Sequence, residues 1–85
     1  MHNLEQMQDL EQRLVRCFSS VFPELSEEQI RSATIDSVPD WHSLASVTLV
    51  SLVQEEFGLQ VSLSDLPNLI SFSAVQNYVQ RLIAS

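Results

Sequence analysis

The sequence predicts an all-α fold: a small four-helix bundle, made of three main helices plus a short third helix, with a long first loop. Apolar residues recur at helical spacing in three segments. The composition is 45% hydrophobic with one glycine and three prolines, as in a packed helical domain. A chain of 85 residues has room for one core, so we expect a single domain over residues 1–85.

The first main helix is predicted over residues 4–21, where polar residues separate apolar ones on a single face. Pro23 ends it. Cys17 lies at the edge of the apolar stripe, and we interpret it as a small packing residue, with a reactive thiol as the alternative. The residues of the stripe are Leu4, Met7, Leu10, Leu14, Cys17, Phe18 and Val21.

A long connection separates this helix from Trp41. The tetrapeptide "SEEQ" at 26–29 has the Ser-x-x-Gln form of a capping box, which predicts a short helical piece over 27–32. A connection of this length usually packs some of its own side chains. The expected anchors are Ile30, Ile35 and Val38.

The second main helix is predicted over 43–57, and Gly58 supplies its stop. One of its faces is expected to be core and contains Ser46, Val47, Leu49, Val50, Val53 and Phe57. The other face is uncharged until its last turn, which indicates a surface that contacts a partner. That face contains Leu44, Ala45, Thr48, Ser51, Leu52, Glu55 and Glu56.

The rest of the chain predicts a short helix and then the last main helix. The segment "SLSDLPNLI" at 62–70 has room for about one turn, interrupted at Pro67. Ser71 is the predicted N-cap of the last helix. The apolar residues of that helix are Phe72, Val75, Tyr78, Val79, Leu82 and Ile83.

Composition argues against several functions. Eleven acids against four arginines give a net charge of −7, which disfavours nucleic acid and anionic membranes and favours basic protein surfaces. The chain has neither a signal segment nor an apolar run of about 20 residues, so the expected location is the cytoplasm. Two histidines, His2 and His42, and one cysteine predict no metal site.

Ser43 opens the most apolar helix, and the residues alone leave three interpretations. Its hydroxyl could satisfy a free backbone N–H at the helix start. As a nucleophile it would need an oriented base, and His42 is poorly placed because adjacent residues point in different directions. As a modification site it would lie where a helix N-terminus favours a bound phosphate.

The segment 43–79, "SLASVTLVSLVQEEFGLQVSLSDLPNLISFSAVQNYV", resembles acyl carrier proteins, which carry acyl groups as thioesters on a 4′-phosphopantetheine arm. The resemblance rests on the Ser-Leu pair, "EEFG" at 55–58, "AVQNYV" at 74–79, and the apolar residues Val47, Leu49, Val50, Val61 and Ile70. It implies that Ser43 carries the arm and that the chain is a monomeric carrier, not an enzyme.

The same resemblance implies a phosphopantetheinyl transferase, an acyl-loading ligase or synthase and an acyltransferase as partners. The cargo would be an acyl or aminoacyl group. The pathway would be a specialised one, of lipid, secondary metabolite or surface polysaccharide synthesis. The bundle interior is the expected shelter for cargo, and the residues expected to line it are Val47, Val50, Val53, Phe57, Ile70 and Val75.

Two departures from the family concern partners. Asp40 and His42 replace the usual glycine and aspartate before the serine, so His42 is either a neutral substitution or a recognition residue. Ala45, Thr48 and Gln54 replace acids that are common on the docking helix, so contacts should be more apolar. The expected partner-binding residues are Trp41, His42, Leu44, Ala45, Thr48, Leu52, Glu55 and Glu56, although Trp41 could equally anchor the loop.

These departures leave an alternative function open. A chain with this fold and no prosthetic group would be a protein-interaction module that uses the neutral helix face. A hydrolase built on His42 and Ser43 is the weakest alternative.

Overall fold

A computed structural model describes the backbone of residues 2–84 and the side chains of residues 9–84. The described residues form an all-helical fold without a β-strand, as predicted, and one isolated β-bridge joins Thr34 to Ser71. The α-helices are α1 (His2–Val21), α2 (Glu27–Arg31), α3 (Ser43–Phe57) and α4 (Phe72–Ala84), and a 3₁₀ helix (Leu63–Asn68) precedes α4.

Local capping explains where the helices begin and end. The predicted capping box is confirmed: the Gln29 N–H donates to the Ser26 hydroxyl at 3.2 Å, and the Ser26 N–H donates to Gln29 Oε1 at 2.8 Å. Helix α3 has the predicted bounds and ends at Gly58, whose φ of +64° lies in the left-handed region that glycine favours. Ser71 caps α4 by accepting the Ala74 N–H at 3.0 Å.

An aromatic cluster forms the centre of the core. The Phe18 ring is fully buried and lies 5.1 Å from the Phe72 ring and 5.5 Å from the Trp41 ring, in edge-to-face arrangements. Helix α1 packs against α2, α3 and α4, so its apolar stripe is the common wall of the bundle. Leu10, Leu14, Cys17 and Phe18 are buried as predicted and Val21 is half-buried, whereas the side chains of Leu4 and Met7 lie outside the described residues.

Ile35, a predicted anchor, and Val47, a predicted core residue, lie at the surface instead. Ile35 is 40% exposed because it lies in a turn closed by hydrogen bonds between Thr34 and Ser37. Val47 is 46% exposed, because it precedes the buried Leu49 by two residues, a rotation of roughly 200° around the helix. The other predicted anchors, Ile30 and Val38, are buried.

The connection between α3 and α4, residues 59–71, is held down at several points. The 3₁₀ helix continues through Pro67, so the predicted interruption is wrong: the φ of proline suits a 3₁₀ helix and its missing N–H removes a single bond. The Tyr78 hydroxyl donates to the Asp65 carboxylate at 2.7 Å, and the Val61 N–H donates to Gln54 Oε1 at 2.8 Å. This connection is therefore tied to both α3 and α4.

Candidate functional site

Ser43 is the first residue of α3, and its side chain is exposed. The N-cap is His42, whose extended backbone starts the helix but whose side chain makes no capping hydrogen bond. The Ser43 hydroxyl makes no hydrogen bond with any other residue whose side chain the structure describes. The capping interpretation of Ser43 is therefore wrong, and the first backbone N–H groups of α3 are left without a side-chain acceptor.

No hydrogen bond joins the side chains of His42 and Ser43 within the described part of the chain. A serine nucleophile needs a base within hydrogen-bond reach and a third group that orients the base. The structure shows neither contact at this position. The Ser43 hydroxyl is exposed to solvent.

A surface groove of about 490 Å³ lies beside Ser43. Helix α3, the 3₁₀ helix and the loop before α3 form its walls, and none of the eleven described residues that line it is an acid. His42 is the ionisable side chain at its rim. Its apolar lining includes four side chains that are at least 40% exposed: Ile35, Val47, Leu63 and Ile70.

Trp41 lies beneath this groove with only 4% of its surface exposed. Its ring packs on Phe18 at 5.5 Å and on Phe22 at 5.8 Å, and its indole N–H donates to the Ser46 hydroxyl at 3.0 Å. This position supports the interpretation of Trp41 as the anchor of the loop that leads to Ser43. A partner on the surface has little of the indole to touch.

The predicted partner-binding face of α3 is partly exposed. Leu44 is 71% exposed, and Thr48 and Glu55 are exposed as well, whereas Ala45 and Leu52 are half-buried. The Thr48 hydroxyl is directed back to the helix, where it donates to the Leu44 carbonyl at 3.1 Å. The exposed Leu44 side chain is the most prominent apolar group of this face.

Glu56, one of the two acids on that face, is already paired. Its carboxylate accepts from Arg13 Nε at 2.7 Å, and the Arg13 guanidinium lies 4.6 Å from the centre of the Phe57 ring. Glu55 has no ion-pair partner among the described residues. The face is therefore still less acidic than its sequence indicates.

Cys17 is buried, with 6% of its surface exposed. Burial, and after it the charge of Glu56, raises the pKa of the thiol to about 11. A thiol with this pKa is poorly nucleophilic at neutral pH. The position supports the packing interpretation of Cys17.

The residues predicted to shelter cargo in the interior do not share one cavity. Val50, Val53 and Val75 line an interior void of only about 10 Å³, which is scarcely room for one water molecule. Val47 and Ile70 line the surface groove instead, and Phe57 packs beneath Arg13. The 3₁₀ helix also contributes Leu63 and Leu66 to the groove, and the spacing of these two leucines is the sequence signal that indicates a shared face.

Two other kinds of function find no support in the described residues. No group of three or more His, Cys, Asp or Glu side chains in the described part could hold a metal ion. Within that same part, no helix has both the length and the apolar character needed to cross a membrane.

Comparison with known proteins gives no family for this chain. No protein-family model matches it, and no curated protein matches it either. Its function therefore has to be argued from the geometry around Ser43.

Proposed function

We propose that this chain is a carrier protein that bears 4′-phosphopantetheine on Ser43 and presents an acyl or aminoacyl thioester to partner enzymes. One observation carries the proposal: the Ser43 hydroxyl is exposed and makes no hydrogen bond to the residues whose side chains are described, and it lies at the start of a helix that the His42 side chain does not cap. The resemblance of residues 43–79 to acyl carrier proteins agrees with this position.

The residues around Ser43 fit a phosphodiester in three respects. Among residues 9–84, no side chain accepts from the first N–H groups of α3, and these groups together with the helix dipole would stabilise an attached anion. None of the described residues that line the neighbouring groove is an acid that would repel it. His42 at the rim supplies an imidazole that can donate a hydrogen bond.

The protein itself contributes attachment and recognition, and the thiol at the end of the arm carries the thioester. A phosphopantetheinyl transferase has to activate the Ser43 hydroxyl, because His42 makes no side-chain hydrogen bond to it in the described part of the chain. A loading ligase or synthase and an acyltransferase would then act on the arm in turn. We place this activity in the cytoplasm and expect the carrier to work as a monomer.

The docking face predicts the character of these encounters. Glu56 is paired with Arg13 and Leu44 is strongly exposed, so partner binding should depend mainly on apolar contact. We expect the affinity for the transferase to fall only a few-fold between low and physiological salt, since few free charges would be screened. A steep loss of affinity with salt would contradict this.

Co-expression with a promiscuous phosphopantetheinyl transferase, followed by intact mass, tests the proposal. The wild-type chain and the Ser51→Ala variant should each gain one phosphopantetheine, and Ser43→Ala should gain none. Ser51 is a matched control because it is also an exposed serine of α3. Absence of modification with both this transferase and the host organism's own would overturn the carrier function.

The alternative function is an interaction module without a prosthetic group. The 71% exposure of Leu44 on a nearly neutral helix face favours it. This alternative predicts an unmodified Ser43 in the mass experiment. It also predicts that a binding partner is lost in Leu44→Ser and retained in Ser43→Ala.

A further inference from the structure

The surface groove and the interior void share one wall. Four side chains line both spaces: Trp41, Ser46, Leu66 and Leu69. The groove has about 490 Å³ on the outer side of this wall, and the void has about 10 Å³ on the inner side. Any group attached at Ser43 meets the wall before it can reach the interior.

The half of the wall that belongs to the loop before α3 is held by packing and by a hydrogen bond. Trp41 contacts Phe18 and Phe22 at ring distances of 5.5 and 5.8 Å. Its indole N–H donates to Ser46 at 3.0 Å. Moving the indole aside would remove the aromatic contacts and leave a buried donor without a partner, which is unfavourable.

The other half of the wall belongs to the connection between α3 and α4. Leu69 is buried, and the part of the connection that precedes Leu66 is fixed by the Tyr78–Asp65 hydrogen bond of 2.7 Å and the Gln54–Val61 hydrogen bond of 2.8 Å. The void behind the wall is almost entirely apolar in its lining, and its volume of about 10 Å³ holds no more than about one water molecule. Its other walls include Leu49, Val53 and Val79, which are all at most 2% exposed.

We infer that cargo carried at Ser43 stays in the surface groove and does not enter the bundle interior, so that the natural cargo is a short acyl or aminoacyl group. This inference rests on the proposed carrier function. A short group gains apolar contact with Val47, Leu63 and Ile70 in the groove without disturbing the core. A long chain would leave most of its methylenes in water, because the wall blocks the way to the interior.

A chemical attachment that needs no transferase tests the inference. In the Ser43→Cys variant, an alkyl methanethiosulfonate reacts with the introduced thiolate: the new S–S bond forms as methanesulfinate leaves with the electron pair of the broken bond. A methyl and an octyl group are attached in separate samples, and intact mass confirms a single addition. Buried Cys17 should not react under these conditions.

The measurements are the thermal midpoint and the emission of Trp41, the single tryptophan of the chain. We expect the octyl and methyl samples to differ by less than about 3 °C, with unchanged Trp41 emission, because the wall does not move. Ser51→Cys carries the same groups on the same helix at a residue that does not line the groove. The Ser51→Cys samples therefore give the change in thermal midpoint expected when the alkyl group stays exposed to solvent.

Entry of the octyl chain into the interior would overturn the inference. It would appear as a rise of about 8 °C or more over the methyl sample together with a shift of Trp41 emission. If Ser43→Cys does not fold, Val47→Cys presents a thiol to the same groove and is tested in the same way. Since no phosphopantetheine is involved, this result is independent of whether Ser43 is modified in the mass experiment.

Discussion

The thiol of Cys17 should be nearly inert toward alkylating reagents as long as the chain is folded. Only 6% of the residue is exposed, and burial raises the pKa of the thiol from 9.0 to about 11. Because the thiolate is the nucleophile, the rate of alkylation follows its fraction. At pH 8 that fraction falls from roughly 9% to roughly 0.1%, so the shift alone slows the reaction about a hundredfold.

Iodoacetamide at pH 8, with intact mass as the readout, measures this rate. The same chain in denaturing guanidinium chloride gives the unprotected rate, and the Ser43→Cys variant gives the rate of an exposed thiol on the folded protein. A folded rate within about tenfold of the denatured rate would show that Cys17 is accessible, and the packing interpretation would then fail. Slow alkylation of folded Cys17 would also have a practical use. On a chain modified as proposed, a thiol that is alkylated rapidly would then belong to the phosphopantetheine arm.

Three further substitutions or titrations test the structure. Trp41→Phe removes the hydrogen bond to Ser46 and part of the ring contact, so it should lower the free energy of unfolding by about 1–3 kcal/mol. Urea denaturation followed by circular dichroism measures the change, and an unchanged midpoint would contradict the structural role of Trp41 in the wall. Gly58→Ala should cost about 1 kcal/mol in thermal unfolding because φ is +64°, even though a Cβ there meets no atom within 4 Å. The hydrogen bond to Asp65 raises the pKa of Tyr78, the single tyrosine, above its ordinary value of 10.0. The stabilising effect of this hydrogen bond should therefore be complete below pH 10 and should disappear as the pH rises through the folded-state pKa. The ultraviolet absorbance of the phenolate measures the shift, because it should appear at a higher pH in the folded chain than in denaturant.

The sequence predicts the helices well where a local signal sets their limits. The capping box at Ser26, the bounds of α3 and the cap at Ser71 all depend on contacts within a few residues, and all are confirmed. The prediction that Val47 faces the core is wrong because α3 is apolar around most of its circumference, so helical spacing alone does not show which apolar side is buried. Pro67 was misread because a 3₁₀ helix tolerates proline where an α-helix does not.

The surroundings of Ser43 were less predictable because they depend on contacts between distant segments. The pairing of Glu56 with Arg13 joins residues 43 positions apart, and no local pattern indicates it. The depth of Trp41 likewise depends on the positions of Phe18, which belongs to α1, and Phe22, which directly follows α1. The sequence predicts Ser43 as the attachment residue, whereas the structure shows which side chains separate the groove from the interior void.

The β-bridge between Thr34 and Ser71 links the two segments that border the groove beside Ser43. Around it the Ile35 N–H donates to the Ile70 carbonyl and the Phe72 N–H donates to the Ala33 carbonyl, both at 3.0 Å. The loop before Ser43 and the connection after α3 are thereby fastened together at the end of the bundle where Ser43 lies. A displacement of either segment would strain these two hydrogen bonds, so we expect the two sides of the groove to move together.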